Sequence, residues 1–286
     1  MNHNRSNQAP TPDSPHLVEV RGLVHIYPNG TQALTDVSIN IGTHEKMAII
    51  GQNGSGKTTL VKHFNGLLMP TGGVVLIRGE DTRKKRTSYL AKTVGYVFQN
   101  PNHQLFCVNV LEELRFGLQN LKLPPAEINR KVEEAIELFH LRPYLEDHPY
   151  SLNMGARKLV AIASIFAMGP QLIILDEPTT GQDFPGRKIL SQAISSIYAA
   201  GKTVVFVSHD MIFVAEHADR AVVMSQAKII FDGAPKDLFV REDILKVADL
   251  RPPPITQLAH KLTDHGVNPS LLSVSEMVTE IRRCAL

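Results

Sequence analysis

Apolar residues in this chain recur with two periods, and the order in which those periods alternate sets the expected architecture. Residues 17–27 and 33–41 alternate apolar and polar side chains, the period-2 pattern of half-buried strands. Between them lies Pro28-Asn29-Gly30, a turn sequence, so an antiparallel hairpin is expected. The short apolar run 47–50 reads as a buried strand leading directly into a glycine-rich loop. Helical spacing returns over 57–68 and is stopped by Pro70 and Gly72-Gly73, with strands expected at 74–77 and 94–98.

From about residue 100 to 168 the pattern is mostly helical, with Ile128, Val132, Ile136 and Phe139 recurring on one face. After Gly169-Pro170 a strand and helix rhythm follows: strand 172–175, helix 188–199, strand 203–207, helix 211–218, then strands around Ala221 and Ile229. This order predicts an α/β fold with a largely parallel sheet at its core, an antiparallel β subdomain at the front and a helical subdomain inserted over about 100–168. Arg251-Pro252-Pro253-Pro254 opens a last segment with helical patterns at 256–262 and 273–281. The expected division is a disordered tail over 1–15, a main domain over 16–240 and a C-terminal extension over 241–286.

Composition removes several classes. With 43% hydrophobic and 20% charged residues among 286, the chain is neither collagen-like, nor a coiled coil, nor wholly disordered. Its formal net charge of +2 argues against a general nucleic-acid or membrane-surface binder. Cys107 and Cys284 lie far apart in sequence, which suits a reducing compartment and suggests neither a disulfide framework nor a cysteine metal site. The longest nearly apolar stretch, 160–168, is well short of the ~18 residues of a membrane-spanning helix. The first fifteen residues are polar and lack the apolar segment of a secretory signal.

The chemistry concentrates in two places. Gly51-Gln52-Asn53-Gly54-Ser55-Gly56-Lys57-Thr58, followed by Thr59, fits the phosphate-loop pattern G-x-x-x-x-G-K-[ST], between an expected strand and an expected helix. Glycines there let backbone N–H groups curl around phosphate oxygens, Lys57 reaches the β and γ phosphates, and the Thr58 hydroxyl ligates Mg²⁺. Downstream, the apolar run 172–175 ends in Asp176-Glu177-Pro178, where an α/β sheet places its chemistry. Asp176 is placed to hold the Mg²⁺ shell, and Glu177 to accept a proton from the attacking water or to orient it. Taken alone, this pair also reads as a solvated acidic turn.

A family resemblance becomes specific at this point. The phosphate loop, Gln99 after a strand, LDEP at 175–178, TGQD at 180–183 and VSHD at 207–210 resemble, in content and order, the nucleotide-binding subunit of an ATP-binding-cassette (ABC) transporter. The likeness covers roughly residues 16–240. Phe98-Gln99-Asn100-Pro101, then Gln104-Leu105-Phe106 and Phe116-Gly117, is similar to the ATPases of energy-coupling-factor importers of vitamins and transition-metal ions, as is the tail PPPITQLAHKL at 252–262.

The resemblance implies ATP as substrate, Mg²⁺ as cofactor, and a peripheral place on the cytoplasmic face of a cell membrane. It gives Gln99 the Mg²⁺ or water site and the joint to the helical subdomain, and gives His209 the γ-phosphate and the positioning of Glu177. Tyr27 takes the place of the aromatic that stacks on adenine, with core packing as the other reading. Asp183 matches the loop that talks across the dimer, with turn capping as the other reading. Glu112 and Glu113 are candidates for contact with basic coupling helices of a membrane subunit, or else form a solvated acidic face.

One motif departs from the family. Where the family carries a signature close to LSGGQ, this chain has Leu152-Asn153-Met154-Gly155-Ala156. Asn153 keeps a polar side chain able to cap a helix or touch phosphate, and Gly155 is kept. Met154 places bulk where backbone approaches the ligand, and Ala156 lacks an amide. Since the family works as head-to-tail pairs, the intact Lys57, Asp176, Glu177 and His209 beside a degraded signature imply a heterodimer with a second ABC ATPase subunit. The milder alternative is a homodimer in which Asn153 and Gly155 suffice. Integral membrane coupling and substrate-binding subunits complete the implied partners, with no nucleic acid. A regulatory ATP-binding half, a soluble ABC ATPase of translation or DNA repair, and a P-loop kinase are the competing classes; the last leaves Gln99 and His209 without a role.

Overall fold

The computed structural model describes residues 16–284, so the tail expected over 1–15 lies outside the described residues. In chain order the first half forms β1 (Val18–Ile26), β2 (Gln32–Ile41), β3 (Lys46–Gly51), α1 (Lys57–His63), β4 (Gly72–Ile77), β5 (Glu80–Asp81), α2 (Thr87–Leu90), β6 (Val94–Val97), α3 (Val110–Asn120) and α4 (Pro125–Leu138). The second half forms α5 (Met154–Met168), β7 (Leu172–Asp176), α6 (Phe184–Ala199), β8 (Thr203–Val207), α7 (Met211–His217), β9 (Arg220–Ser225), β10 (Lys228–Gly233), α8 (Pro235–Phe239), α9 (Glu242–Val247), α10 (Pro254–Lys261) and α11 (Val274–Cys284).

The strands sort into two sheets. An antiparallel sheet runs β2-β1-β4-β5, and a six-stranded sheet runs β10-β9-β3-β8-β7-β6. In the larger sheet every pairing is parallel except that of β10 with β9. The expected α/β class and front hairpin are therefore present.

The uniformly apolar character of β3, β7 and β8 follows from burial on both faces. Met47, Ile49, Leu172, Ile174, Val205 and Val207 join the core shared with the antiparallel sheet. Their neighbours Ala48, Ile50, Ile173, Leu175, Val204 and Phe206 join the core shared with the helices. Alternation along each strand thus feeds two cores, because successive side chains point to opposite faces.

The helical segment is held by its caps. The Asn109 side chain accepts from Glu112 N–H at the start of α3, and the Asn153 side chain accepts from Ala156 N–H at the start of α5. Gly169, in the left-handed region at φ 70°, closes α5. Val132, Ala135 and Ile136 bury the inner face of α4.

Two expected boundaries move. The helix expected over 57–68 stops at His63, because Asn65 Oδ1 accepts from Leu67 N–H and Gly66 turns left-handed at φ 71°. Phe64 still packs in the core, so the apolar spacing runs past the helix end. The helix expected over 188–199 begins at Phe184, with the Asp183 side chain accepting from Gly186 N–H. Pro185 falls in its first turn, where proline loses no hydrogen bond. Near the C-terminus, Ala259, Val267, Leu271 and Met277 form a small separate core.

Candidate active site

Parallel strands present their carboxyl ends on one edge, and the candidate residues lie there. The phosphate loop follows β3, Asp176 ends β7, and His209 lies two residues beyond β8. Register makes this edge common to all three, since Gly51 pairs with Met224 of β9 and Asp176 with Val207 of β8.

Glycine is required in the loop for space as well as for backbone angle. A Cβ on Gly51 (φ 144°) would lie 2.1 Å from Met224 O, and one on Gly56 (φ 102°) 2.4 Å from Ala33 O. Lys57 is 7% exposed and its Nζ donates to Gly51 O at 2.8 Å and Gln52 O at 2.7 Å. Burial lowers the Lys57 pKa, while Glu177 and Asp176 pull it the other way. Across the edge, Thr58 Oγ1 donates to Asp176 Oδ1 at 3.3 Å, bringing together the hydroxyl and carboxylate singled out for Mg²⁺.

A cavity of about 320 Å³ collects Tyr27, Asn53, Lys57, Thr58, Gln99 and Glu177 in its wall. Gly54, Gly56 and Thr59 line it as well, and the Tyr27 hydroxyl lies 3.0 Å from Thr59 Oγ1. The His209 side chain is 68% exposed, with Nδ1 2.8 Å from Glu177 Oε2. Beyond this ion-pair approach Glu177 Oε2 is buried without a hydrogen-bond partner. Ser55 Oγ is likewise buried and unpartnered.

The orphaned Ser55 hydroxyl can donate to a phosphate oxygen, and the room that only glycine leaves at Gly51 and Gly56 fits a phosphate ligand, whereas the unpartnered Glu177 oxygen is an acceptor and suits a water. The Thr58, Asp176 and Gln99 oxygens are the hard donors that suit Mg²⁺ beside a phosphate.

The signature stretch and the loop after β7 lie against each other, apart from this cavity. Asn153 caps α5, Gly155 O accepts from Gln182 Nε2 at 3.2 Å, and Asp183 caps α6. Met154 is 46% exposed at the first position of α5.

One expectation about an acidic contact changes. Glu113 turns inward at 4% exposure and accepts from the Phe106 and Cys107 amides, so it braces a loop rather than offering a surface charge. Glu112 pairs with Arg115 on its own helix. The nearby groove of about 660 Å³ is lined by Glu113, by aromatic Tyr89, Phe106 and Phe116 and by cationic Lys84, Lys85 and Lys92.

Sequence reasoning missed two residues at the site. The Tyr96 hydroxyl donates to Asp176 Oδ2 at 2.7 Å, and burial together with that carboxylate raises its pKa. The Lys158 ammonium donates to the main-chain carbonyl of Glu177. Tyr96 reads as an ordinary strand aromatic, whereas Lys158, a charge within an apolar helical run, was a visible signal.

A family model described as "ABC transporter" matches residues 34–180. The chain belongs to the ABC transporter family. Within that family the energy-coupling factor transporter ATP-binding protein EcfA of Methanoculleus marisnigri is 42% identical over 88% of this chain and 91% of its own length. EcfA2 of Symbiobacterium thermophilum is 42% identical over 90% of this chain and 93% of its own length. The solved structure of cbiO1 from Clostridium perfringens, described as part of the ABC transporter complex cbiONQ, superposes with a TM-score of 0.73. It is 33% identical, covering 86% of this chain and 100% of that one.

A dimeric ATP-binding cassette in a post-hydrolysis state, bound to ADP and Pi, superposes with a TM-score of 0.70 at 28% identity, covering 76% of this chain and 98% of that one. Some relatives are longer: this ABC chain spans 43% of an ABC transporter ATP-binding protein of Methanosarcina mazei, to which it is 40% identical over 89% of its own length. The chain thus spans less than half the length of such curated relatives. Among the described residues no helix is long and apolar enough to cross a membrane.

Proposed function

We propose that this chain is the ATP-hydrolysing subunit of an energy-coupling-factor type importer, driving uptake of a vitamin or transition-metal ion through membrane partner subunits. The observation that carries the reading is the meeting on one strand edge of the phosphate loop, Thr58 with Asp176, and Glu177 with His209, with Lys57, Thr58, Gln99 and Glu177 lining one cavity. The loop amides and Lys57 bind the β and γ phosphates of ATP, and Tyr27 offers a ring to the adenine. Thr58, Asp176 and Gln99 would hold Mg²⁺, which when bound neutralises charge on the phosphates. Glu177 takes the proton of the attacking water as its oxygen bonds to the γ-phosphorus and the bond to the β-phosphate oxygen breaks, yielding ADP and phosphate. His209 keeps the Glu177 carboxylate aimed.

Because Met154 and Ala156 degrade the signature, the working unit is a heterodimer in which a second ABC subunit closes over this chain's nucleotide. The aromatic groove with its lysine rim is the surface offered to the membrane subunit. Glu177→Gln tests the core of the reading: ATP binding is expected to persist while turnover falls about a hundredfold or more. Unchanged turnover would remove Glu177 from catalysis.

A further inference from the structure

Lys158 takes no part in the chemistry above, yet it is 1% exposed and points its ammonium at the Glu177 carbonyl. An ammonium at such depth is expensive, and an apolar side chain of similar length would fill the site without that penalty. Burial accordingly pulls the Lys158 pKa down to about 8, against the attraction of Glu177 and Asp176.

The peptide it grips is unusual. Glu177 sits at φ 50°, in the left-handed region that is strained for a residue with a Cβ, and such backbone persists only where its surroundings hold it. Its N–H donates to Val207 O of β8 at 2.9 Å, and its carbonyl also takes the Thr180 N–H at a longer 3.3 Å. Lys158 thus holds the carbonyl side of Glu177 while β8 holds its N–H side, one on each flank of the strained Cα. Lys158 lies five residues after the capping Asn153, so α5 reaches from its own N-terminal turns to the residue whose carboxylate lines the nucleotide cavity.

We propose that Lys158 is a positioning residue that holds the Glu177 peptide in its left-handed conformation from the signature helix, and so sets the aim of the Glu177 carboxylate. This rests on the ATPase reading above.

The test uses the full chain in whichever assembly the wild type hydrolyses ATP fastest. Lys158→Met keeps length and removes the donor, while Lys158→Arg restores one. Lys158→Met is expected to lower kcat about tenfold, with KM and the affinity for a fluorescent ATP analogue within about threefold of wild type. Amide hydrogen exchange in the nucleotide-free chain is expected to quicken in the peptide spanning 176–182, with the thermal midpoint not lowered. Lys158→Arg is expected to recover a large part of kcat.

A fall in kcat of less than about threefold, a KM that rises as kcat falls, or unchanged exchange would overturn the proposal. Should Lys158→Met fail to fold, Lys158→Leu, which also lacks a donor, is held to the same split. A wild type inactive in every assembly overturns the ATPase reading itself, whereas wild-type turnover left intact by Lys158→Met overturns only the role of Lys158.

Discussion

At the scale of single residues, a buried imidazole pair beside Tyr27 sets an acid limit. His63 is fully buried, its Nδ1 lies 2.7 Å from Thr59 O, and its Nε2 lies 3.1 Å from His25 Nδ1. A carbonyl can only accept, so Nδ1 carries the proton and Nε2 is left to accept from His25. The His25 ring in turn meets Tyr27 edge-on at 4.6 Å. Burial is the main cause that takes the His63 pKa down to about 4. The folded state therefore binds fewer protons than the unfolded between pH 6.5 and about 4, and stability is lost as pH falls through that window. The loss from His63 alone is roughly 3 kcal/mol at most. His63→Gln is expected to flatten the fall, checked by unfolding midpoints across pH 4–7; parallel curves would show that His63 does not set the limit.

Residue-scale legibility followed sequence distance. The phosphate loop declared itself because its eight positions are consecutive, and Asp176-Glu177 because they end an apolar strand. Tyr96 lies 80 positions from the Asp176 it contacts and His63 lies 38 from His25, so no local pattern announced either.

Elements were legible wherever burial was uniform. The apolar runs in β3, β7 and β8 pointed to strands enclosed on both faces, and the amphipathic face of α4 was read residue by residue. Element ends were less so, because they are decided by caps rather than by period. Nothing in the spacing around Phe64 shows that Gly66 will turn left-handed, and Pro185-Gly186 reads as a break although Asp183 caps a helix that includes both. At this scale α4 offers a test of the inserted helices. Ile136 is 2% exposed in the helical core, so Ile136→Ala is expected to destabilise by roughly 2–4 kcal/mol. Denaturant unfolding would check it, and a loss below about 1 kcal/mol would mean that the helices are not packed as one unit with the sheet.

For the whole molecule the decisive asymmetry lies within one chain, between an intact phosphate site and a signature stretch with Met154 exposed at its helix start. The expectation is that the chain mixed with its companion ABC subunit hydrolyses ATP at least about tenfold faster than the chain alone. Equal rates would show that Asn153 and Gly155 suffice and that a homodimer works. Family and fold class were legible from motif order, whereas the inward turn of Glu113 was not. Glu112 and Glu113 look exposed in sequence, yet a carboxylate able to accept two loop amides is drawn inward.

The Thr58 to Asp176 contact joins positions 118 apart, with the helical insertion between them. A ribosome adding about 5–20 residues per second has finished the glycine cradle many seconds before it supplies the acid that faces it. Until then the nascent chain has half a site, and the core behind the cradle waits as well, because Leu172, Ile174, Val205 and Val207 that complete it are made in the same late stretch.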